Sequence, residues 1–247
     1  MSAAALIQGA SRGIGLAMTG SLLERDPDLR VIATCREPSR ATALQDMRNE
    51  FPARLRLLRL DLEDEASLAE AAQQLGSEEL NLLVNCAGIL HDEQMKPERA
   101  LREIDPVQLH RSFAINAIGP LLVAKHFHAQ LPKKGRSVFA SLSARIGSIG
   151  DNRAGGWYGY RGSKAAQNMF TKTLAVELAR VRPDAISVAL HPGTVATDLS
   201  APFRRGVSRK PVFSAETAAR QLLDVIDGLE AKDHGGFFAW DGSPIPW

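Results

Sequence analysis

Tyrosine, cysteine and long apolar runs are all scarce in this chain of 247 residues. It has two tyrosines and two cysteines, and no run approaches the roughly 18 to 20 apolar residues needed to cross a bilayer. The first residues, MSAAALIQGAS, carry no basic region and predict a first strand rather than a signal peptide. The expectation is a cytoplasmic protein without a membrane partner.

An excess of charge of one sign is also lacking. Thirty Lys and Arg side chains stand against 28 Asp and Glu, a net charge of +2, so long-range attraction to nucleic acid is excluded. The composition, 45% hydrophobic and 23% charged, is typical of a globular protein with an ample core. Charge therefore indicates no macromolecular partner.

The chain does have an alternation of short apolar segments with longer segments of helical period. The short segments are residues 3–8, 31–35, 55–60, 80–85, 137–142, 186–190 and 236–240. Strands that alternate with helices form right-handed βαβ units and a parallel sheet covered on both faces. The sequence predicts one α/β domain over residues 1–247, a doubly wound Rossmann-type fold. Its seven-stranded, mostly parallel sheet has the expected order 3-2-1-4-5-6-7.

The cysteines and histidines give no metal-ligand spacing. In the predicted strand order Cys35 and Cys86 lie about two strand spacings apart, roughly 10 Å, beyond the ~7 Å limit for a disulfide. Two buried, free thiols are expected. His126 and His128 are two apart on a predicted helix and do not share a face. No metal is predicted.

Ligands of a doubly wound fold bind beyond the carboxyl ends of the strands. The first strand is followed by GASRGIG, residues 9–15, in which glycines let the backbone approach a pyrophosphate at the N-terminus of a helix. An ordinary tight turn is the alternative. The candidate cofactor-binding residues in this loop are Gly9, Ser11, Arg12, Gly13, Ile14 and Gly15.

Arginines near the second strand indicate which nucleotide binds. Arg36 stands where an NAD-selective site usually has Asp or Glu, and Arg pairs well with the 2′-phosphate of NADP. With Arg12 as a second cation, NADP(H) is favoured; two solvated surface arginines are the alternative. At the ends of the next strands, Asp61 with Leu62, and Asn85 with Ala87 and Gly88, are candidates to contact adenine and ribose, although each is also compatible with a turn.

The two tyrosines lie in WYGYRGSK, residues 157–164. Residues four apart share a helix face and residues two apart do not, so Tyr160 can act with Lys164 whereas Tyr158 cannot. A nearby ammonium favours the phenolate, so a lowered Tyr160 pKa is expected. Ser143 can supply a hydroxyl to the same substrate oxygen, with Ser141 as a competing candidate, and Asn116 can hold the lysine through a water.

These motifs together resemble the short-chain dehydrogenase/reductase family over essentially the whole chain. The matching stretches are GASRGIG, Asp61-Leu62, NCAG, Asn116, Ser143, Tyr160-x-x-x-Lys164 and HPGTVATD at 191–198. The stretch SARIGSIGDNRAGGWYGYRGSKAA and the ending WDGSPIPW are similar to the C-factor-like branch and to related carbonyl reductases. Gln8 departs from the Thr that many members have before the first glycine.

The resemblance implies a mechanism and a set of contacts. Tyr160 would protonate a carbonyl oxygen held by Ser143, and Lys164 would bind the nicotinamide ribose with Asn116 completing a proton relay. Further cofactor contacts are expected from Pro192, Gly193, Val195 and Thr197. Residues 198–213 resemble a lid over the substrate, in which Arg204, Arg205, Arg209 and Lys210 are candidates to meet an anionic substrate or a solvated face. Trp157, Tyr158, Phe203 and Phe213 are candidates for an apolar pocket wall, and packing against neighbouring protein is the alternative.

The function expected is an NADP(H)-dependent oxidoreductase acting on a small ketone or aldehyde, or on the corresponding secondary alcohol. The rival is a nucleotide-binding signalling or regulatory protein on the same scaffold, because fold does not determine function. A dehydratase or epimerase would use the same scaffold too. The family also implies a homo-oligomer, dimer or tetramer, although the apolar faces that carry Phe113, Ile118, Leu122 and Phe170 can equally belong to the core.

Overall fold

Nine strands form two sheets in the part of the chain that this computed structural model describes, residues 3–203 and 211–247. They are β1 (Ala4–Gln8), β2 (Arg30–Cys35), β3 (Leu55–Arg59), β4 (Leu82–Asn85), β5 (Ser137–Leu142), β6 (Ala185–His191), β7 (Thr194–Val195), β8 (Val212–Phe213) and β9 (Phe237–Ala239). The large sheet has the order β3-β2-β1-β4-β5-β6-β9, with every neighbouring pair parallel. The predicted order is confirmed, the seventh strand of the sheet being the ninth in the chain because β7 and β8 pair separately.

The α-helices lie between the strands. They are α1 (Gly13–Arg25), α2 (Thr42–Glu50), α3 (Glu65–Leu75), α4 (Pro106–Phe113), α5 (Gly119–Phe127), α6 (Tyr158–Val181) and α7 (Ala215–Gly228). Short 3₁₀ turns occupy Pro38–Arg40, Leu101–Glu103, His128–Gln130, Arg145–Gly147, Ala201–Phe203 and Ala231–Asp233. A π-helical segment, Ala114–Ile118, joins α4 to α5. Such π segments are frequent at functional sites.

Each face of the large sheet is covered by its own layer of helices. Adjacent residues of β1 point to opposite faces, so Leu6 and Ile7 belong to different apolar clusters. The cluster around Ile7 contains buried leucines of α1 and α7, and the cluster around Leu6 contains Phe127 of α5 and residues of α3 and α6. Burying each large apolar side chain contributes about 1.5–3 kcal/mol. No helix of residues 3–203 or 211–247 is long and apolar enough to span a bilayer.

The turn from β1 into α1 has no room for a side chain at Gly15. A Cβ there would lie 2.3 Å from the carbonyl oxygen of Gly9, which is backbone and cannot rotate away. We expect Gly15→Ala to reduce the free energy of unfolding by about 1–3 kcal/mol, the usual cost of overpacking, in urea denaturation. Gly228→Ala is the control, because a Cβ there meets nothing within 4 Å. Equal losses in the two variants would contradict the steric argument.

Candidate active site

A cleft of about 1730 Å³ opens at the carboxyl ends of the strands of the large sheet. This is the position at which doubly wound folds bind ligands. Predicted cofactor residues that line it are Gly9, Ser11, Arg12, Gly13, Ile14, Gly15, Arg36, Asp61, Leu62, Ala87, Gly88, Tyr160, Lys164, Pro192, Gly193, Val195 and Thr197. The structure therefore brings together residues from six separate segments of the chain.

The glycine loop presents bare backbone to the cleft. A Cβ on Gly9, whose φ is +80°, would lie 2.7 Å from the amide nitrogen of Ala87. Gly13 begins α1 at φ +57°, and the first turn of this helix has no acidic side chain. The free N–H groups and positive end of α1 are consequently available to an anion. A cradle of this kind fits the pyrophosphate of a dinucleotide.

Two arginines flank this cradle. Arg36 follows β2, is exposed, and makes no ion pair with the described residues. Arg12 forms a 3.3 Å ion pair with Asp198 across the cleft, with the two side chains 75% and 81% exposed. An exposed pair contributes at most about 1 kcal/mol, so Arg12 can readily exchange Asp198 for another anion. Both arginines are suitably placed for a phosphate.

Asn85 does not support the role predicted for it. Its side chain is buried outside the cleft, where Nδ2 donates to Ser141 Oγ at 3.1 Å. The register pairs Asn85 of β4 with Ser141 of β5, and directly opposite side chains lie on one face of the sheet. The next residues along, Cys86, Ala87 and Gly88, do line the cleft. The Asn85 side chain therefore joins β4 to β5 and does not face the cleft.

The opposite wall of the cleft follows β6. A Cβ on Gly193, at φ +77°, would lie 2.9 Å from the rings of Phe213 and Trp240. Val195 belongs to β7, which pairs with β8 and so joins the residues just before the predicted lid to the last residues of the lid. Phe203 contacts Trp157, with ring centroids 4.9 Å apart. Arg204, Arg205, Arg209 and Lys210 lie outside the described residues.

Trp157 is held in an unusual backbone conformation beside the site. Among the described residues it is the one non-glycine residue at positive φ, +53°, a conformation that commonly marks functional positions. Its N–H donates to Glu98 O, and Glu98 Oε2 in turn accepts from Gly159 N at the start of α6. This arrangement points the indole toward Phe203 and Tyr160. Sequence reasoning identified Trp157 but not the part played by Glu98.

Of the two tyrosines, Tyr160 lines the cleft and Tyr158 does not. Tyr158 is 42% exposed, so the prediction that it forms part of the pocket wall is wrong. Lys164 lies one turn after Tyr160, with Nζ 6.0 Å from the centroid of its ring. The ammonium donates to Leu142 O at 2.7 Å and to Gln167 Oε1 at 2.8 Å.

The pKa values of this pair differ from the expectation. Desolvation by the surrounding protein raises the pKa of Tyr160 to about 12 and lowers the pKa of Lys164 to about 7. The predicted lowering of the tyrosine pKa is therefore wrong for this arrangement, because burial of Tyr160 raises its pKa, while Lys164 Nζ donates to Leu142 O and Gln167 Oε1. At neutral pH Tyr160 is a neutral proton donor.

Ser143 lines the cleft, whereas Ser141 is buried between β4 and β5. The hydroxyl of Ser143 donates to Asn168 Oδ1 at 2.6 Å. Asn168 Nδ2 faces Gly147 O at 3.4 Å, which sets the orientation of the amide. Asn168 was not identified from the sequence, since nothing in its spacing distinguishes it from other polar residues of a helix.

Asn116 lies in the π segment and is fully buried. Its Oδ1 accepts from Ile89 N at 2.7 Å and its Nδ2 donates to Ile89 O at 2.8 Å. The side chain therefore fixes the loop after β4 rather than contacting Lys164, although both groups lie within 4 Å of the point that a Cβ on Gly88 would occupy.

The cysteines that end β2 and β4 are both free thiols, as predicted. Cys35 is buried, but Cys86 is only partly so, and both line the cleft. Burial raises the pKa of Cys86 to about 12 and also raises the pKa of Cys35. Neither thiol is a reactive thiolate near neutrality.

Comparison with known proteins agrees with this geometry. The family model described as short chain dehydrogenase matches residues 3–208. The chain belongs to the short-chain dehydrogenase/reductase family. An uncharacterized oxidoreductase of Schizosaccharomyces pombe is 32% identical over 98% of this chain and 96% of that protein. The C-signal protein of Myxococcus xanthus is 37% identical over 60% of this chain and 84% of its own length.

A solved short-chain reductase has nearly the same fold. The NADPH-bound carbonyl reductase from chicken fatty liver superposes with a TM-score of 0.86 at 30% identity, covering 100% of this chain and 94% of that one. Together with the C-signal match, this confirms that the chain is near the C-factor and carbonyl reductase branch of the short-chain family.

Proposed function

We propose that this short-chain family member is an NADP(H)-dependent reductase of ketones or aldehydes. The observation that carries the proposal is that one cleft holds the neutral Tyr160, the buried Lys164 and a glycine cradle flanked by arginines. An acid, a cation and an anion-binding loop are the groups that nicotinamide-dependent reduction of a carbonyl requires.

NADPH fits the residues present and would supply a hydride to the carbonyl carbon. The glycine loop would hold its pyrophosphate, Arg12 and Arg36 its 2′-phosphate, and Lys164 its nicotinamide ribose. NADPH in the chicken carbonyl reductase supports this choice over NADH. Asp61 and Leu62 would contact the adenine, and Val195 and Thr197 would contact the nicotinamide and the pyrophosphate.

Tyr160 would donate its proton to the carbonyl oxygen. Its raised pKa keeps the hydroxyl protonated near neutrality, and the protonated hydroxyl is the form that can act as a general acid toward a carbonyl oxygen. Ser143 would hold the same oxygen after rotation about its Cβ–Oγ bond turns the proton away from Asn168. Asn116 would hold Lys164 through a water and so complete a proton relay, while its two hydrogen bonds fix the backbone of Ile89 at the edge of the cleft.

The substrate end of the cleft is bounded by aromatic rings. Trp157, Phe203 and Phe213 line it, and His91 packs edge-on against Phe203 while its Nε2 lies 3.1 Å from Asp198 O. An apolar wall beside a proton donor suits a small or medium-sized carbonyl compound with an apolar substituent.

The direct test is a panel of ketones and aldehydes with purified protein, followed by loss of NADPH absorbance. We expect turnover with some members of the panel, and tighter binding of NADPH than of NADH in a nicotinamide-fluorescence titration. Binding of neither nucleotide would contradict the proposal.

A signalling role on the same scaffold is the second candidate, favoured by the match to C-signal. The variant Tyr160→Phe distinguishes the two functions, because catalysis requires the Tyr160 hydroxyl and a binding surface does not. If the signalling activity persists in Tyr160→Phe, it depends on a binding surface of the protein. If it is lost together with turnover, it depends on catalysis.

A homo-oligomer remains a prediction. On α6 the side chains of Met169 and Val176 are 64% and 52% exposed, and Ile118 beside α5 is 45% exposed. Covering such apolar side chains would favour association. Sedimentation of the purified protein measures the oligomeric state directly.

A further inference from the structure

Gln167 is the polar side chain that accepts a hydrogen bond from Lys164. It follows Lys164 by three residues on α6, is 1% exposed, and its Oε1 lies 2.8 Å from Nζ. The carbonyl oxygen of Leu142 accepts a second bond from the same ammonium. An ammonium has three donors, so one proton remains for the cleft that Lys164 lines.

The orientation of the Gln167 amide follows from this contact. Its Nε2 is buried and has no hydrogen-bond partner among the described residues. Exchanging the amide nitrogen and oxygen would place two donor groups face to face at Lys164. Leaving a buried N–H unpaired is costly, but this orientation avoids the clash of donors. The hydrogen bond from Lys164 to Oε1 is therefore the polar contact that the Gln167 amide makes among the described residues.

Few other groups act on the ammonium. Tyr160, on the same helix, is the titratable residue that faces it. From the other elements packed against Lys164, β5 offers the Leu142 carbonyl, the π segment offers the neutral Asn116, and the two neighbouring turns offer the backbone of Gly88 and Gly147. None of these groups is a carboxylate. Hydrogen bonds alone therefore oppose the lowering of the Lys164 pKa that burial causes.

We propose that Gln167 is a positioning residue that keeps Lys164 charged and aims its remaining proton into the cleft. An acceptor close to an ammonium favours the charged form, whereas burial favours the neutral one. Burial lowers the pKa of Lys164 to about 7, so near neutrality the charge depends on each acceptor. The consequence for turnover rests on the proposed reductase function; the effect on Lys164 itself does not.

The test is an NMR titration of lysine side chains labelled with ¹³C at Cε, in the protein without nucleotide. The Lys164 signal is assigned as the one missing from Lys164→Arg. We expect Gln167→Leu to lower the pKa of Lys164 by about one pH unit, the loss of one hydrogen bond to a charged group. Gln167→Glu keeps an acceptor and adds negative charge, so it should raise the pKa. Shifts of opposite sign would not follow from a packing defect.

Gln221→Leu is the matched control. It also removes a side-chain amide, in this case a partly buried one whose Oε1 has no partner among the described residues. Gln221 lies on α7, across the sheet from α6. Its Lys164 titration should equal that of the unchanged protein. Equal Lys164 pKa values in the Leu and Glu variants of Gln167 and in the unchanged protein would overturn the inference.

Kinetics then separate this inference from the proposed function. If both hold, the alkaline fall of kcat/KM moves to lower pH in Gln167→Leu, because the charged lysine is lost as pH rises through its lowered pKa, and to higher pH in Gln167→Glu. Shifted NMR titrations with no turnover of any carbonyl compound would support the role of Gln167 and contradict the reductase function. Turnover of a carbonyl compound with unshifted NMR titrations would support the reductase function and contradict the role of Gln167.

Discussion

Replacing Tyr160 by phenylalanine is expected to lower kcat by roughly 10²- to 10⁴-fold, the range for loss of a general acid, and to leave the Kd for NADPH nearly unchanged. The change removes one oxygen atom and keeps the ring that packs beside Trp157. The nucleotide is expected to be held mainly by the glycine loop, the arginines and Lys164, so its affinity should survive. Steady-state kinetics and a fluorescence titration on the same preparation measure both quantities.

The chain supplies a matched control two residues away. Tyr158→Phe removes the same atom from an exposed side chain that does not line the cleft, so turnover should be retained. If both variants keep full activity, Tyr160 is not the acid. If both lose it, the defect lies in α6 as a whole, which a loss of NADPH binding would reveal.

Much of this site could be predicted from the sequence because strand ends converge in a parallel sheet. Once the apolar segments were assigned to strands, the residues after each one had to meet at one edge. Gly9, Arg36 and Pro192 are far apart in sequence, and the structure places all three in the same cleft. The choice between Tyr158 and Tyr160 followed from helical spacing alone, and α6 begins at Tyr158.

The side-chain partners within the site could not be predicted in this way. The pKa of Tyr160 depends on how far it is enclosed and on where the protons of Lys164 point, and neither can be inferred from an i,i+4 spacing. Similarly, Gln167 and Asn168 look like ordinary helix residues until the contacts with Lys164 and Ser143 are known.

Asn85 shows a second limit. It was assigned to the site because of where it stands in the chain, but a position at the edge of a site does not determine where the side chain points. Asn85 is turned into the sheet by the register of β4 and β5. Asn116 makes two hydrogen bonds to the backbone of Ile89 that its position in the chain did not reveal, and its water-mediated contact with Lys164 stays a prediction. The orientation of an individual side chain depends on the packing of the whole fold.

Arg36→Ala is expected to raise the Kd for NADPH by about 10- to 100-fold, the equivalent of one charge-assisted hydrogen bond of about 1.5–3 kcal/mol, and to leave the Kd for NADH nearly unchanged. The physical reason is that the 2′-phosphate is the group that distinguishes the two nucleotides. Arg36 is exposed at the end of β2 with no ion pair to a described residue, so its charge is free to act on a phosphate. Fluorescence titrations with both nucleotides measure the change.

Arg40→Ala is the control for a general loss of positive charge. Arg40 is also exposed but pairs with Glu37 at 2.8 Å, so its removal should affect the Kd for NADPH only weakly. Exposed charges are screened by salt, and the NADPH preference of the unchanged protein should consequently shrink as ionic strength rises. Equal weakening of NADPH and NADH in Arg36→Ala would contradict the assignment. If Arg36→Ala instead keeps the preference for NADPH, Arg12 is the residue that binds the 2′-phosphate. Its ion pair with Asp198 then has to break when the nucleotide binds.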